Sequence, residues 1–140
     1  MRIIFYSILL IGSLFLGEWI YRSFVRPIDQ PTVKMIALAL HLNAVGIKGH
    51  LYSVRHGFRH SDVTAAAAFQ IDGFPLPISF IDCPNDIAAE SNLNAIKANP
   101  NLTHGNRKDT IVMDLPMWGD DTERTALKVV DAFSSFRSGT

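Results

Sequence analysis

This sequence lacks most of the signals from which an activity is usually inferred. It has a single cysteine, Cys83, so it forms no internal disulfide, and its cysteine usage does not identify a compartment. It contains no phosphate-cradling glycine loop, no nucleophile elbow and no set of kinase motifs. It also has no internal repeat. The residues therefore point to no standard catalytic apparatus.

The charge balance excludes a further class of function. Lysine and arginine together number 13, as do aspartate and glutamate, and residues 29–140 alone carry a net charge of −2. A general nucleic-acid binder needs a basic surface that attracts phosphates. We therefore expect no nucleic-acid partner, and nothing in the sequence indicates a cofactor.

What the chain does have is a long apolar run at its N-terminus. Residues 3–21 contain few polar side chains, and Trp19, Tyr21 and Arg22 lie at the end of the run. A helix of this length, roughly 28 Å, matches one hydrocarbon thickness, and aromatic and basic residues suit the membrane interface. We therefore predict a transmembrane signal-anchor helix with its flank over residues 1–26.

The same run has two alternative interpretations, a cleaved secretory signal peptide and a buried helix of a soluble domain. Cleavage after Gly17 would place Phe15 at the −3 position, and cleavage after Ser23 would place Tyr21 there. A signal peptidase needs a small residue at that position, so both sites are poor and the anchor is favoured. Basic residues after the run slightly favour a cytoplasmic domain, whereas the short charged head resembles an export signal. We expect a single-pass membrane protein with an extracytoplasmic, periplasmic domain.

The remainder of the chain is long enough for one compact domain. Residues 27–31 contain prolines that disfavour helix in the preceding residues, so they predict a linker, and residues 32–140 predict one α+β domain. The first helix is apolar almost all round, so we expect it to be largely buried between the sheet and a partner. Three helices are predicted, over residues 32–45, over residues 82–98, and from Asp120 to the region of Phe136.

Period-2 patterns and turn signals predict four strands. Asp72-Gly73 is a strong hairpin signal, although a helix over the four alanines at 65–68 is an alternative to the second strand. Pro75 and Pro77 remove N–H groups on one side of the third strand, which favours an edge position. The strands are predicted over residues 50–56, 63–71, 74–81 and 110–115, with residues 99–109 as a polar loop.

A crossover through the second helix would make the third and fourth strands parallel. The fold prediction is therefore a four-stranded mixed sheet in the order 3-2-1-4, with three helices, in an α+β domain.

Histidines form the first group of residues that could carry chemistry. His50, His56 and His60 could ligate zinc or copper, because neutral imidazoles bind both metals well. Their spacing is not diagnostic. With Arg55 and Arg59 they could instead form a solvated basic patch that contacts a partner or an anionic ligand such as a lipid headgroup.

Cys83 and an acidic cluster are the other two candidates. A thiol at a helix N-terminus can be activated, but the neighbouring Asp82 disfavours thiolate, so a packed structural cysteine is the better interpretation. Paired carboxylates can bind a cation or exchange protons, yet acidic residues at a helix start are more simply explained by the helix dipole. The cluster consists of Asp114, Asp120, Asp121 and Glu123.

These observations favour a non-catalytic, membrane-tethered binding or assembly subunit of a larger envelope complex, or an inhibitor or immunity-type protein. Its predicted partners are the membrane and another protein, which we expect to contact Arg55, Arg59 and the loop carrying Trp118. The alternatives are a small enzyme dependent on metal or on the thiol, and a module that binds an anionic ligand or lipid headgroup.

Overall fold

The computed structural model describes residues 12, 13, 15–17, 20, 28–54, 62–98, 103–116, 119 and 122–137. The domain is α+β, as predicted, and its elements follow one another as helix, three strands, helix, two strands and helix. In chain order they are α1 (Val33–Ala44), β1 (Gly49–Ser53), β2 (Ala65–Ile71), β3 (Ile78–Asp82), α2 (Asp86–Lys97), β4 (Thr103–Lys108), β5 (Ile111–Pro116) and α3 (Glu123–Ser135).

The sheet has five strands in the order β1-β2-β3-β5-β4, and all neighbouring strands are antiparallel. The predicted four-stranded mixed sheet in the order 3-2-1-4 is therefore wrong. The error lies in the segment predicted as a polar loop over residues 99–109, which contains β4. The chain enters this additional strand after α2, so β4 is the strand that runs parallel to β3. β5 then returns antiparallel between them, and no two neighbouring strands are parallel.

The edge-strand prediction is also wrong. Pro75 and Pro77 lie before β3 begins, in the connection from β2, where no ladder hydrogen bonds are lost. β3 itself pairs with β2 on one side and with β5 on the other, so it is the central strand. The true edges of the sheet are β1 and β4.

The first helix begins and ends where its sequence predicts. The Oγ1 atom of Thr32 accepts a hydrogen bond from the N–H of Met35 at 3.4 Å, as an N-cap should. Gly46 follows the helix with a φ of 93°, the left-handed conformation typical of a helix end. The side of α1 that faces the sheet contributes Met35, Leu38 and Leu42, all fully buried.

Helices cover both faces of the sheet. α1 and α3 pack on one face, where the rings of Phe80 and Phe133 stack with their centroids 6.4 Å apart. α2 packs on the opposite face, where Ala89 and Leu93 meet Val112. Side chains alternate across each strand, so the first face buries every second residue. The sheet contributes Ala67, Phe69, Ile71, Ile78, Phe80, Ile111, Met113 and Leu115 to this larger core.

The membrane prediction requires correction. A bilayer crossing needs about 20 consecutive, predominantly apolar residues in one helix, and no helix in the described part of the chain meets that requirement. The structure therefore does not support the transmembrane signal-anchor helix predicted over residues 1–26, nor the single-pass, extracytoplasmic location that depended on it. Within residues 3–21, only 12, 13, 15–17 and 20 are described, and these are helical. The remainder of the predicted span lies outside the described residues.

Candidate functional site

Most of the residues predicted to bind a partner or a metal lie outside the described residues. These are Arg55, His56, Arg59, His60 and Trp118. His50 is described: it is exposed on β1, and its ring lies 6.0 Å from that of Tyr52. Among the described residues, no group of three or more His, Cys, Asp or Glu side chains could hold a metal ion. The basic patch and the histidine site therefore stay predictions.

Cys83 is buried, with only 3% of its surface exposed. Its Sγ atom accepts a weak hydrogen bond from Nδ2 of Asn92 at 3.7 Å. Burial raises the pKa of the Cys83 thiol, and the charges of Asp82 and Asp62 raise this pKa further. Since the thiolate is the reactive form, this environment opposes nucleophilic chemistry and favours the packed structural role.

Two buried acidic residues were not singled out by sequence reasoning, because a single aspartate beside an apolar stretch carries no distinctive pattern. Asp82, at the end of β3, accepts a hydrogen bond from Oγ1 of Thr110 at 3.0 Å, and Nζ of Lys34 lies 3.9 Å away. Asp29 accepts a bond from the N–H of Ala66. These contacts satisfy backbone or hydroxyl groups where the strands end, which is a structural role.

The fold separates the predicted acidic cluster. Asp114 lies opposite Gly105 in the ladder, on the sheet face that α2 covers. Glu123 begins α3 on the other face. Asp120 and Asp121 lie outside the described residues. The two described acids therefore do not form a shared carboxylate site.

Among the described residues, a candidate site is an open groove between α3 and the edge strand β4, which we call the α3–β4 groove. Its volume is about 440 Å³, within the range of ligand-binding clefts. Leu115 of β5 is almost fully buried there, whereas Leu127 of α3 is 60% exposed beside it. The groove is lined by Lys97, His104, Gly105, Asn106, Leu115, Glu123, Ala126, Leu127 and Val130. Its apolar residues come from β5 and α3, and its polar residues come from β4 and the two helix ends.

The hairpin between β4 and β5 determines which backbone groups of β4 face the open edge. Lys108 pairs with Ile111 across the short turn formed by Asp109 and Thr110. The residues that close such a turn exchange both of their N–H···O bonds with each other. Asp109 has a φ of 51°, as a tight turn of this kind requires.

Hydrogen-bonded and non-hydrogen-bonded pairs alternate along an antiparallel ladder. Counting back from the turn, Asn106 and His104 bond to β5. The N–H and C=O groups of Gly105 and Arg107 consequently point away from the sheet. Among the described residues, no side chain hydrogen-bonds to the backbone of Gly105. The groove therefore contains backbone donors and acceptors that no described side chain fills, next to an apolar surface.

β4 is held firmly from behind by α2. A Cβ atom at Gly105 would lie 3.0 Å from side-chain atoms of Leu93 and Ile96, so any other residue there would require these two side chains to shift. The guanidinium of Arg107 forms ion pairs with Asp86 and with Glu90 of the same helix. The hydrogen bond that Arg107 donates to Glu90 contributes most to raising the pKa of Arg107, whose guanidinium is charged at physiological pH in any case. The packing and the ion pairs with α2 therefore hold the edge strand β4 in position.

Helix α1 presents a second exposed apolar surface. Val33 is 83% exposed, Leu40 66% and Ile36 46%, and their spacing places them on one side of the helix. The expectation that α1 is largely buried between the sheet and a partner is confirmed on its sheet-facing side, and burial of its other side by a partner stays a prediction. The outer side is available for a contact.

Polar groups cover the backbone at the opposite edge of the sheet. The carboxamide of Asn43 donates to the C=O of Gly49 at 3.0 Å and accepts from the N–H of Gly49 at 3.1 Å. The N–H of Asp72 donates to the C=O of Lys48, so Gly49 is the residue whose groups face outward. A side chain therefore covers β1 at Gly49, whereas the same alternation directs the N–H and C=O groups of Leu51 and Ser53 outward as well.

No protein-family model, curated protein or solved structure matches this chain. The functional argument therefore rests on the residues of the chain and their geometry.

Proposed function

We propose that this domain is a non-catalytic binding or assembly module that contacts another protein through the α3–β4 groove. The observation that carries the proposal is the groove itself, an apolar surface placed beside backbone groups of β4 that have no described side-chain partner. Exposed apolar surface rimmed by polar residues is typical of protein interaction sites. An inhibitor or immunity-type protein, which occupies a surface of its target, is one form of such a module.

A protein partner fits the groove better than a small molecule does. Small-molecule sites bury most of their ligand in a concave pocket with a few convergent polar groups. Here the groove is open along β4, and Leu127 is exposed on its rim rather than enclosed. The ionisable side chains of the groove lining are those of Lys97, His104 and Glu123. Polar and charged side chains of this kind suit the rim of a protein interface.

The enzyme alternative has weaker support from the described residues. A thiol-dependent enzyme needs an accessible thiolate, whereas the buried Cys83 has a raised pKa. The metal-dependent form depends on His56 and His60, which lie outside the described residues. Arg55, Arg59 and Trp118 lie outside the described residues and stay predicted partner contacts.

Site-specific photo-crosslinking tests the proposal. A benzophenone amino acid is placed at Leu127, 60% exposed on α3, and in a matched protein at Ile87, 84% exposed on α2. Both are exposed apolar positions on helices, and Ile87 lines a separate, smaller cavity at the start of α2 rather than the α3–β4 groove. After irradiation in cells, we expect a discrete crosslinked protein from the Leu127 variant and only background from the Ile87 variant.

Equal background from the two variants would contradict the groove as the contact surface. The charge substitutions Leu127→Asp and Ile87→Asp provide a second check. Each should change the free energy of unfolding by less than about 0.5 kcal/mol, as is usual for exposed positions. Only Leu127→Asp should abolish the crosslinked product formed from a probe placed at Lys97, on the far side of the groove.

A further inference from the structure

We infer that the occupant of the α3–β4 groove is an extended segment of another polypeptide, which pairs with β4 as a sixth strand of the sheet. This inference rests on the proposed function and specifies the class of partner. Adding a strand to a free sheet edge is an established mode of peptide recognition, in which main-chain hydrogen bonds supply affinity and side-chain pockets supply specificity.

The backbone geometry of β4 fits this mode. Gly105 and Arg107 direct their N–H and C=O groups outward, so an incoming strand can form hydrogen bonds with both residues. Gly105 belongs to the groove lining, which places these groups at the groove rather than at a distant point of the edge. The ion pairs of Arg107 with Asp86 and Glu90 hold β4 against α2, on the side away from the groove. β4 therefore loses little conformational entropy when another strand pairs with it.

The side-chain chemistry of the groove defines what the segment must carry. Side chains of an added strand alternate between the two faces of the sheet, and every second one would enter the space under α3. That space is bounded by Leu115, Ala126 and Val130, which favour apolar side chains at alternating positions. The other side chains of the segment would meet the end of α2 near Lys97. The expected occupant is therefore an extended segment with apolar residues in a period-2 pattern.

A second copy of this chain fits the groove less well. If two copies paired through β4, each would bring its own His104 and Asn106 to the groove side of the sheet. Both side chains are polar, whereas the floor of the groove is apolar. A foreign segment with apolar residues is therefore favoured over self-association.

Hydrogen exchange on the full-length chain tests strand addition directly. The probe is a synthetic peptide chosen by selecting a phage-displayed library of random short peptides against the chain. When this peptide binds, exchange of the Gly105 and Arg107 amides should slow by at least tenfold. The His104 and Asn106 amides of the same strand already bond to β5 and provide the internal control, since their exchange should change little.

N-methylated versions of the selected peptide separate backbone pairing from side-chain contact. Methyl groups on the alternate amides that face β4 should weaken binding at least tenfold, whereas methyl groups on the other alternate set should leave affinity within a few-fold. Equal sensitivity of the two sets would overturn the inference. Protection of the Gly105 and Arg107 amides that increases with protein concentration and needs no peptide would overturn it in favour of a second copy.

The outcomes also distinguish this inference from the proposed function. If Leu127→Asp abolishes peptide binding but the Gly105 amide stays unprotected in the wild-type complex, the groove binds its partner without strand addition. If Leu127→Asp has no effect on the selected peptide, the peptide binds elsewhere and both proposals fail. Selection of no peptide at all, together with a crosslink at Leu127, would likewise reject the extended segment while keeping the groove.

Discussion

The two edges of the sheet differ in whether a side chain covers the outward-facing backbone groups of their glycines, Gly49 in β1 and Gly105 in β4. At β1, the carboxamide of Asn43 occupies both outward-facing backbone groups of Gly49. At β4, the corresponding groups of Gly105 open into the α3–β4 groove. An unprotected edge invites uncontrolled pairing, and natural proteins cover or charge such edges. The difference therefore applies to these two glycines, since Leu51 and Ser53 also direct their N–H and C=O groups outward from β1.

Gly49 and Gly105 both lie very close to other parts of the domain, but the atoms that they approach differ. A Cβ atom at Gly49 would overlap the backbone oxygen of Gln70 and the ring of Phe69. A Cβ atom at Gly105 would meet the ends of two flexible side chains, those of Leu93 and Ile96. A backbone atom cannot move aside as a side chain can, so β1 is the more rigidly packed edge.

The largest expected effect is the difference between Gly49→Ala and Gly105→Ala. We expect Gly49→Ala to lower the free energy of unfolding by about 3 kcal/mol, because the added methyl group forces strands β1 and β2 apart. Gly105→Ala should cost about 1 kcal/mol or less, since Leu93 and Ile96 can shift. Urea denaturation of both variants measures the difference. Equal losses would mean that the two edges are packed alike.

Removing the side chain that covers β1 should have the next largest effect. Asn43→Ala leaves the N–H and C=O of Gly49 without their partner, which should destabilise the domain by about 1–2 kcal/mol. Asn94→Ala in α2 is the matched control, because Asn94 is exposed. Replacing asparagine with alanine raises the intrinsic helix propensity by the same amount in both variants. A loss no greater than that of the control would show that the Asn43 contacts contribute nothing to stability.

Amide exchange in the unbound protein compares the edges without any substitution. The Gly49 amide is bonded to Asn43 and should exchange at least tenfold more slowly than the Gly105 amide, since tenfold corresponds to about 1.4 kcal/mol. Asn43→Ala should remove most of that difference. NMR exchange rates give both values. A slowly exchanging Gly105 amide in the monomeric, unbound chain would show that β4 is already covered.

The smallest expected effect concerns two exposed histidines on opposite edges. His50→Ala and His104→Ala should each change the free energy of unfolding by less than about 0.5 kcal/mol. His104 lines the groove and His50 does not, so only His104→Ala should weaken binding of the selected peptide, by a few-fold. Isothermal calorimetry measures that affinity. If His50→Ala weakened binding instead, the contact surface would lie on β1.

Local rules predicted those elements whose signals lie within a few residues. The Thr32 cap and the apolar character of α1 predict that helix, and Asp72-Gly73 predicts the β2–β3 turn, where Gly73 has a φ of 82°. The structural interpretation of Cys83 also agrees with its buried position. In each case the interactions that decide the structure join residues close together along the chain. Local propensity and periodicity are therefore sufficient to predict it.

The groove could not be predicted in this way, because β4 has no strand pattern of its own. Residues 103–108 are polar or charged apart from Gly105, without alternation of apolar residues. This segment becomes a strand because β5 supplies a ladder on one side and α2 packs against Gly105 from behind. The misplaced third strand has a related cause. Two prolines favour an edge, but only the tertiary arrangement shows that they precede the strand.

The sequence by itself determined the helices of the domain, the β2–β3 turn and the structural interpretation of Cys83, since each depends on neighbours close along the chain. Only the tertiary structure decided the strand order, the identity of the edges and the position of the groove. These depend on contacts between distant segments, such as the pairing of Phe80 with Met113 where β5 joins β3 and the stacking of Phe80 on Phe133 of α3. Such contacts form only when the whole sheet assembles, and no local propensity encodes them.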